Sequence, residues 1–119
     1  MFQTILADLV SRTPGTDWAM IVGADGVPLE TNAPGLHAET ELLAAEYAVL
    51  FRTCRRVTTQ ASGADLQDAI LTTERCRIVV QTLTPDYFLL LCLQPSGLTG
   101  KALFEISRAR GAIIEETTF

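Results

Sequence analysis

The sequence predicts an α/β protein of the α+β kind, with a five-stranded, largely antiparallel sheet sandwiched by helices in the order α-β-β-α-β-β-β-α. Three observations carry this. Apolar residues recur at helical spacing in three segments, one at each end of the chain and one in its middle. The strand-like runs are joined by links too short for a crossover, so neighbours pair as antiparallel hairpins. The run Tyr87-Phe-Leu-Leu-Leu-Cys-Leu93 is apolar on both faces, as a central strand covered on both sides should be. At 119 residues the chain reads as one domain, residues 1–119, able to bury roughly two thirds of its unfolded surface without staples.

Phe2, Ile5, Leu6, Leu9 and Val10 fall on one face of a helix, which Thr13-Pro14-Gly15 stops. Asp17 to Gly23 and Val27 to Thr31 flank an Asp25-Gly26 turn and form a hairpin. Pro28 has no N–H to give a ladder, so the second strand belongs at a sheet edge. A Pro/Gly loop follows from Asn32 to His37. From about Ala38 to Ala61 there is neither Gly nor Pro, which marks the longest helix; Ser62-Gly63 ends it. Its main stripe is Leu43, Tyr47, Leu50, Cys54, Val57 and Ala61. Leu42 and Val49 flank that stripe on one side, and Ala44, Ala48 and Phe51 on the other. A helix apolar over so much of its surface is buried on more than one side. Strands follow at about Leu66 to Thr73, Arg75 to Leu83 and Tyr87 to Leu93, the first an edge. A last helix runs from about Leu98 to Glu115, with Leu98, Ala102, Ile106, Ala109 and Ile113 on one side.

Composition excludes several functions. Nine Lys and Arg against fourteen Asp and Glu give a net charge of −5, the wrong sign for nucleic acid or an anionic membrane surface. Hydrophobic residues are 48% of the chain and charged ones 19%, a globular balance. No apolar run approaches the length of a membrane span, and the N-terminal run has no basic region before it and carries Asp8, unlike a signal peptide. Cys54, Cys76 and Cys92 are odd in number, unpaired by spacing and set in apolar runs, so they read as small core residues of a cytoplasmic protein.

No motif assembles into chemistry. Ser96-Gly-Leu-Thr-Gly-Lys101 stands where a phosphate loop would, but Pro95 replaces the leading glycine and Ala102 the metal-binding hydroxyl. The simpler reading is a helix entry capped by Ser96 or Thr99. His37 has no evident nucleophile or orienting acid. Glu39, Glu41 and Glu46 suit the positive start of the long helix, and Arg52, Arg55 and Arg56 its later half. The expectation is no catalytic residue, no metal and no cofactor, hence not an enzyme.

Several segments together resemble the Roadblock domain family (dynein light chain Roadblock and its relatives), above all its short bacterial and archaeal MglB-like members. They are Ala19-Met-Ile-Val-Gly-Ala-Asp-Gly-Val27, Glu41-Leu-Leu-Ala-Ala-Glu46, Ile70-Leu-Thr-Thr-Glu74 and Gly100-Lys-Ala-Leu-Phe-Glu105, within the same order of elements. The resemblance implies the long helix on one face of the sheet and the terminal helices on the other. It also implies a homodimer joined through the third strand and the long helix, which binds a small Ras-like GTPase and in some members stimulates its hydrolysis. On this chain the GTPase would meet the less apolar back of the long helix, near Glu41, Ala45, Arg52 and Arg56.

Two features of the residues agree with a dimer. The long helix has surplus apolar surface, and the edge strand from Leu66 to Thr73 carries neither Pro nor Lys to protect it. The expected dimer interface is Ala44, Ala48, Val49, Phe51, Leu66, Ala69 and Leu71. The function expected is a non-catalytic homodimeric regulator or scaffold of a small GTPase. The alternative is a small-molecule sensor or general interaction scaffold without a GTPase, and a sensor requires a cavity with convergent polar groups.

Overall fold

A computed structural model describes residues 2–34, 36 and 39–117. His37 and Ala38, where the sequence predicts a loop histidine and the start of the long helix, lie outside them. The elements are α1 (Phe2–Arg12), β1 (Thr16–Gly23), β2 (Pro28–Asn32), α2 (Thr40–Ser62), β3 (Asp68–Thr72), β4 (Arg77–Thr84), β5 (Tyr87–Leu93) and α3 (Thr99–Thr117). The order matches the expectation, with strand ends shifted by one or two residues.

The five strands form one antiparallel sheet in the order β2-β1-β5-β4-β3. β5 is central and apolar on both faces, and β2 and β3 are the edges. Alternation along the strands divides the core in two. Ala19, Ile21, Val79, Leu83, Leu89, Leu91 and Leu93 face α1 and α3, meeting Leu6, Leu9, Ala102 and Ile106. Trp18, Met20, Val22, Val80, Phe88, Leu90 and Cys92 face α2. The long helix therefore covers one face and the terminal helices the other, as the resemblance implies. No helix among the described residues is long and apolar enough to cross a membrane.

Two turns fix how α2 sits. Gly26 closes the β1–β2 hairpin at φ 90°, donating to the carbonyl of Gly23, while the amide of Val27 donates to Asp25 Oδ1. A β-carbon on Gly26 would stand 3.1 Å from Ala45 Cα, so the hairpin touches the helix backbone directly. The amide of Ala24 donates to the carbonyl of Asp86, tying this hairpin to the β4–β5 turn. The helix ends on Gly63, whose amide donates to the carbonyl of Thr59.

The buried face of α2 differs from the expected one. Ala44, Ala48 and Phe51, at 0%, 5% and 4% exposure, lie on the sheet, whereas Leu50 and Val57 of the predicted main stripe are about half exposed. The first half of the helix approaches the β1–β2 hairpin closely, which selects the small Ala44 and Ala48 there, and Phe51 is the large side chain of the buried face. The start of α3 also differs. The carbonyl of Leu98 accepts from Ala102, and neither Ser96 nor Thr99 supplies a side-chain cap among the described hydrogen bonds.

Candidate functional site

The outer surface of α2 carries the candidate site, because its two flanks differ in chemistry. On one flank Leu43, Tyr47 and Cys54 are half-buried and Leu50 and Val57 are open, at 46% and 50% exposure. Leu42 and Val49 extend this apolar strip toward the crest of the helix, at 57% and 54% exposure. Spacings of 4 and 3 residues repeat along the stripe, the period of a helix that packs on another helix.

The sheet beside this flank is thinly covered. α2 covers β1, β5 and Val80 of β4, so the same face of β3 and of the start of β4 is left partly open. Leu66, Ala69, Cys76 and Ile78 there are half-buried, and Leu71 is 38% exposed. Of the expected dimer residues, Val49, Leu66, Ala69 and Leu71 thus lie on or beside an open apolar surface. Ala44, Ala48 and Phe51 do not. Their own sheet already buries them, which leaves almost nothing for a second chain to cover.

The other flank is polar. Glu41, Ala45, Arg52 and Arg56 are all exposed. At roughly 100° per residue they fall within about 60° of one another, one continuous stripe. Arg55 beside them is half-buried and stands 3.9 Å from Asp65. Arg52 and Arg56 have no ion-pair partner among the described residues. Nor does the helix dipole account for them, since α2 runs on to Ser62 with no basic residue in its last turn, and the dipole acts only within that turn.

The cysteines split by environment. Burial pushes the Cys92 thiol up to about 12, with a hydrogen bond to Cys76 adding to the shift. Such a thiol stays protonated and is a poor nucleophile. Burial, with Cys76 and Cys92 nearby, also raises the Tyr47 hydroxyl. No group of His, Cys, Asp and Glu among the described residues is arranged to hold a metal. Lys101, from the phosphate-loop-like segment, lies 3.7 Å from the buried Glu105 and 5.9 Å above the Phe104 ring. It is engaged in its own helix.

The chain is a three-layered domain, helices on both faces of one sheet, whose exposed helix α2 has one apolar and one charged flank. The chain belongs to the Roadblock/LC7 domain family, whose profile matches residues 2–94. No curated protein matches the sequence. Among solved structures it is similar to a Roadblock/LC7 domain from Streptomyces avermitilis, at TM-score 0.87 and 17% identity over 97% of this chain and 96% of that one. It is similar to Myxococcus xanthus MglB, at TM-score 0.87 and 13% identity over 98% of each chain. It also resembles the gliding protein MglB of Thermus thermophilus, at TM-score 0.77 and 20% identity over 90% of this chain and 81% of that one.

Proposed function

We propose that the chain works as a single domain over residues 1–119, a non-catalytic homodimer that regulates or scaffolds a small Ras-like GTPase in the cytoplasm. The observation that carries this is the division of α2 into two open flanks. The apolar flank, with β3 beside it, suits a second copy. Leu50, Val57, Val49 and Leu71 would meet their mates across a twofold axis, and the unprotected β3 edge would continue the sheet. The charged flank is left for the GTPase, with Arg52 and Arg56 free to meet an acidic surface and set the rate and specificity of encounter. Stimulation of hydrolysis would proceed by ordering the GTPase switch loops around the nucleotide.

The test is retention of GTPases from source-cell lysate on immobilised protein, in parallel with GDP or a non-hydrolysable GTP analogue, identified by mass spectrometry. A small GTPase enriched with the GTP analogue, and lost with Arg52→Glu/Arg56→Glu, is the expected result. No GTPase in either condition would sink the proposal at its functional step.

A further inference from the structure

The charged flank ends in a cavity of about 540 Å³ between the second half of α2 and the β4–β5 turn. Its floor is apolar: Phe51 and Phe88 pack ring to ring there, and Ala24, Ala48 and Pro85 complete it. Its rim is cationic, with Arg52, Arg55 and Arg56 all lining the same opening. The volume falls within the range of about 300–1,000 Å³ typical of small-ligand sites, which pair an apolar lining with a few convergent polar groups.

Three guanidinium groups within five residues line one opening and concentrate positive charge there. Asp65 supplies some compensating negative charge to Arg55, at 3.9 Å. Arg52 and Arg56 receive none from the described residues, in a chain that is otherwise acidic. Guanidinium forks bind carboxylate, sulfonate and phosphate groups in bidentate fashion and also stack on flat rings. The Asp65 carboxylate closes one wall and disfavours an extended run of acidic residues. The opening thus suits a compact ligand with one charged end.

We propose that this cavity is a binding site for a small organic anion with a flat apolar body, its charged group held by Arg52 and Arg56 and its body laid over Phe51 and Phe88. The site needs no GTPase. It lies on the flank of α2 away from the apolar seam, so a second copy on that seam leaves it open. Because it shares Arg52 and Arg56 with the proposed GTPase surface, an occupying ligand would compete with that partner.

The test uses anilinonaphthalene sulfonate, a flat aromatic anion, titrated into the isotope-labelled full chain while amide resonances are followed. Inorganic sulfate serves as the charge-only control. The expected result is saturable shifts at residues 51–60 and 85–88, with sulfate alone at least about tenfold weaker. Arg52→Ala/Arg56→Ala, on exposed positions, should weaken binding by about tenfold or more, the scale of losing charged hydrogen bonds. Ala24→Leu should fill the cavity and weaken binding with all three arginines retained. Shifts confined to Leu50 and Val57, unchanged affinity in both variants, or sulfate binding as tightly as the aromatic anion would each overturn the proposal.

Discussion

The ring of Phe51 on α2 packs against that of Phe88 on β5, with centroids 5.5 Å apart and planes tilted by 37°. Both residues are at least 95% buried, so this pair pins the long helix to the centre of the sheet. An aromatic pair adds about 0.5–1.5 kcal/mol beyond the area it buries. Phe51→Ala should therefore cost about 3–5 kcal/mol of stability, read as a lower urea midpoint. A loss below about 1 kcal/mol would mean that the helix is held elsewhere.

Because the chain's own sheet buries Phe51, a charge placed there unfolds the protomer before it reports on a dimer. Leu50 and Val57 separate the two effects, being about half exposed within one chain. Leu50→Glu and Val57→Glu should halve the mass measured by sedimentation equilibrium and leave the far-ultraviolet circular dichroism unchanged. A dimer of unaltered mass in both variants would place the interface away from this seam.

The strands are readable in the sequence and the orientation of α2 is not, for one physical reason. Strand patterns report a face directly, so β5 is legible as central from its continuous apolar run, and Pro28 marks β2 as an edge. A helix stripe reports only which residues are most apolar. Leu43, Tyr47, Leu50 and Val57 outrank Ala44 and Ala48 on that scale. Where Gly26 brings the hairpin against Ala45, however, the buried face has to be small, so Ala44 and Ala48 lie there, and Phe51 further along is its one large side chain. Leu50 and Val57 are left outside. The charged stripe is legible because it lies within one helix. The anion cavity joins Ala24, α2, Asp65 and Pro85, and no local pattern connects them.

Gly15 and Gly97 meet backbone to backbone. A β-carbon on Gly15, at φ 90°, would stand 2.7 Å from Gly97 Cα, and one on Gly97 would stand 2.8 Å from Leu93 Cδ2. The amide of Gln94 donates to the carbonyl of Gly15, and the Arg77 guanidinium donates to that of Gly97. The glycine beside Ser96 therefore has a packing role that requires no phosphate. Gly15→Ala should cost about 2 kcal/mol or more, from combined strain and clash. Gly100→Ala, on α3 with open space around it, should stabilise by up to about 1 kcal/mol. Chemical denaturation of the two variants checks both signs, and equal effects would refute the close-contact account.

Cys92 gives the fold a defined alkaline weakness. In the unfolded chain its thiol ionises near the ordinary value of 9.0, and in the folded chain burial pushes it up to about 12. Between these values the folded state holds the proton that the unfolded state has released. Stability therefore falls as pH rises through that window and is unaffected well below it. Tyr47, raised from 10.0 by burial, contributes with the same sign. Cys92→Val keeps an apolar side chain of similar size and removes the titrating group. Its urea midpoint should decline less steeply than that of the unmodified chain from about pH 9 upward, with the two curves parallel near neutrality. Parallel curves throughout would show that Cys92 ionises as readily in the folded protein as in the unfolded one. In the unmodified chain at neutral pH, a thiol reagent should modify the half-buried Cys54 and Cys76 well before Cys92.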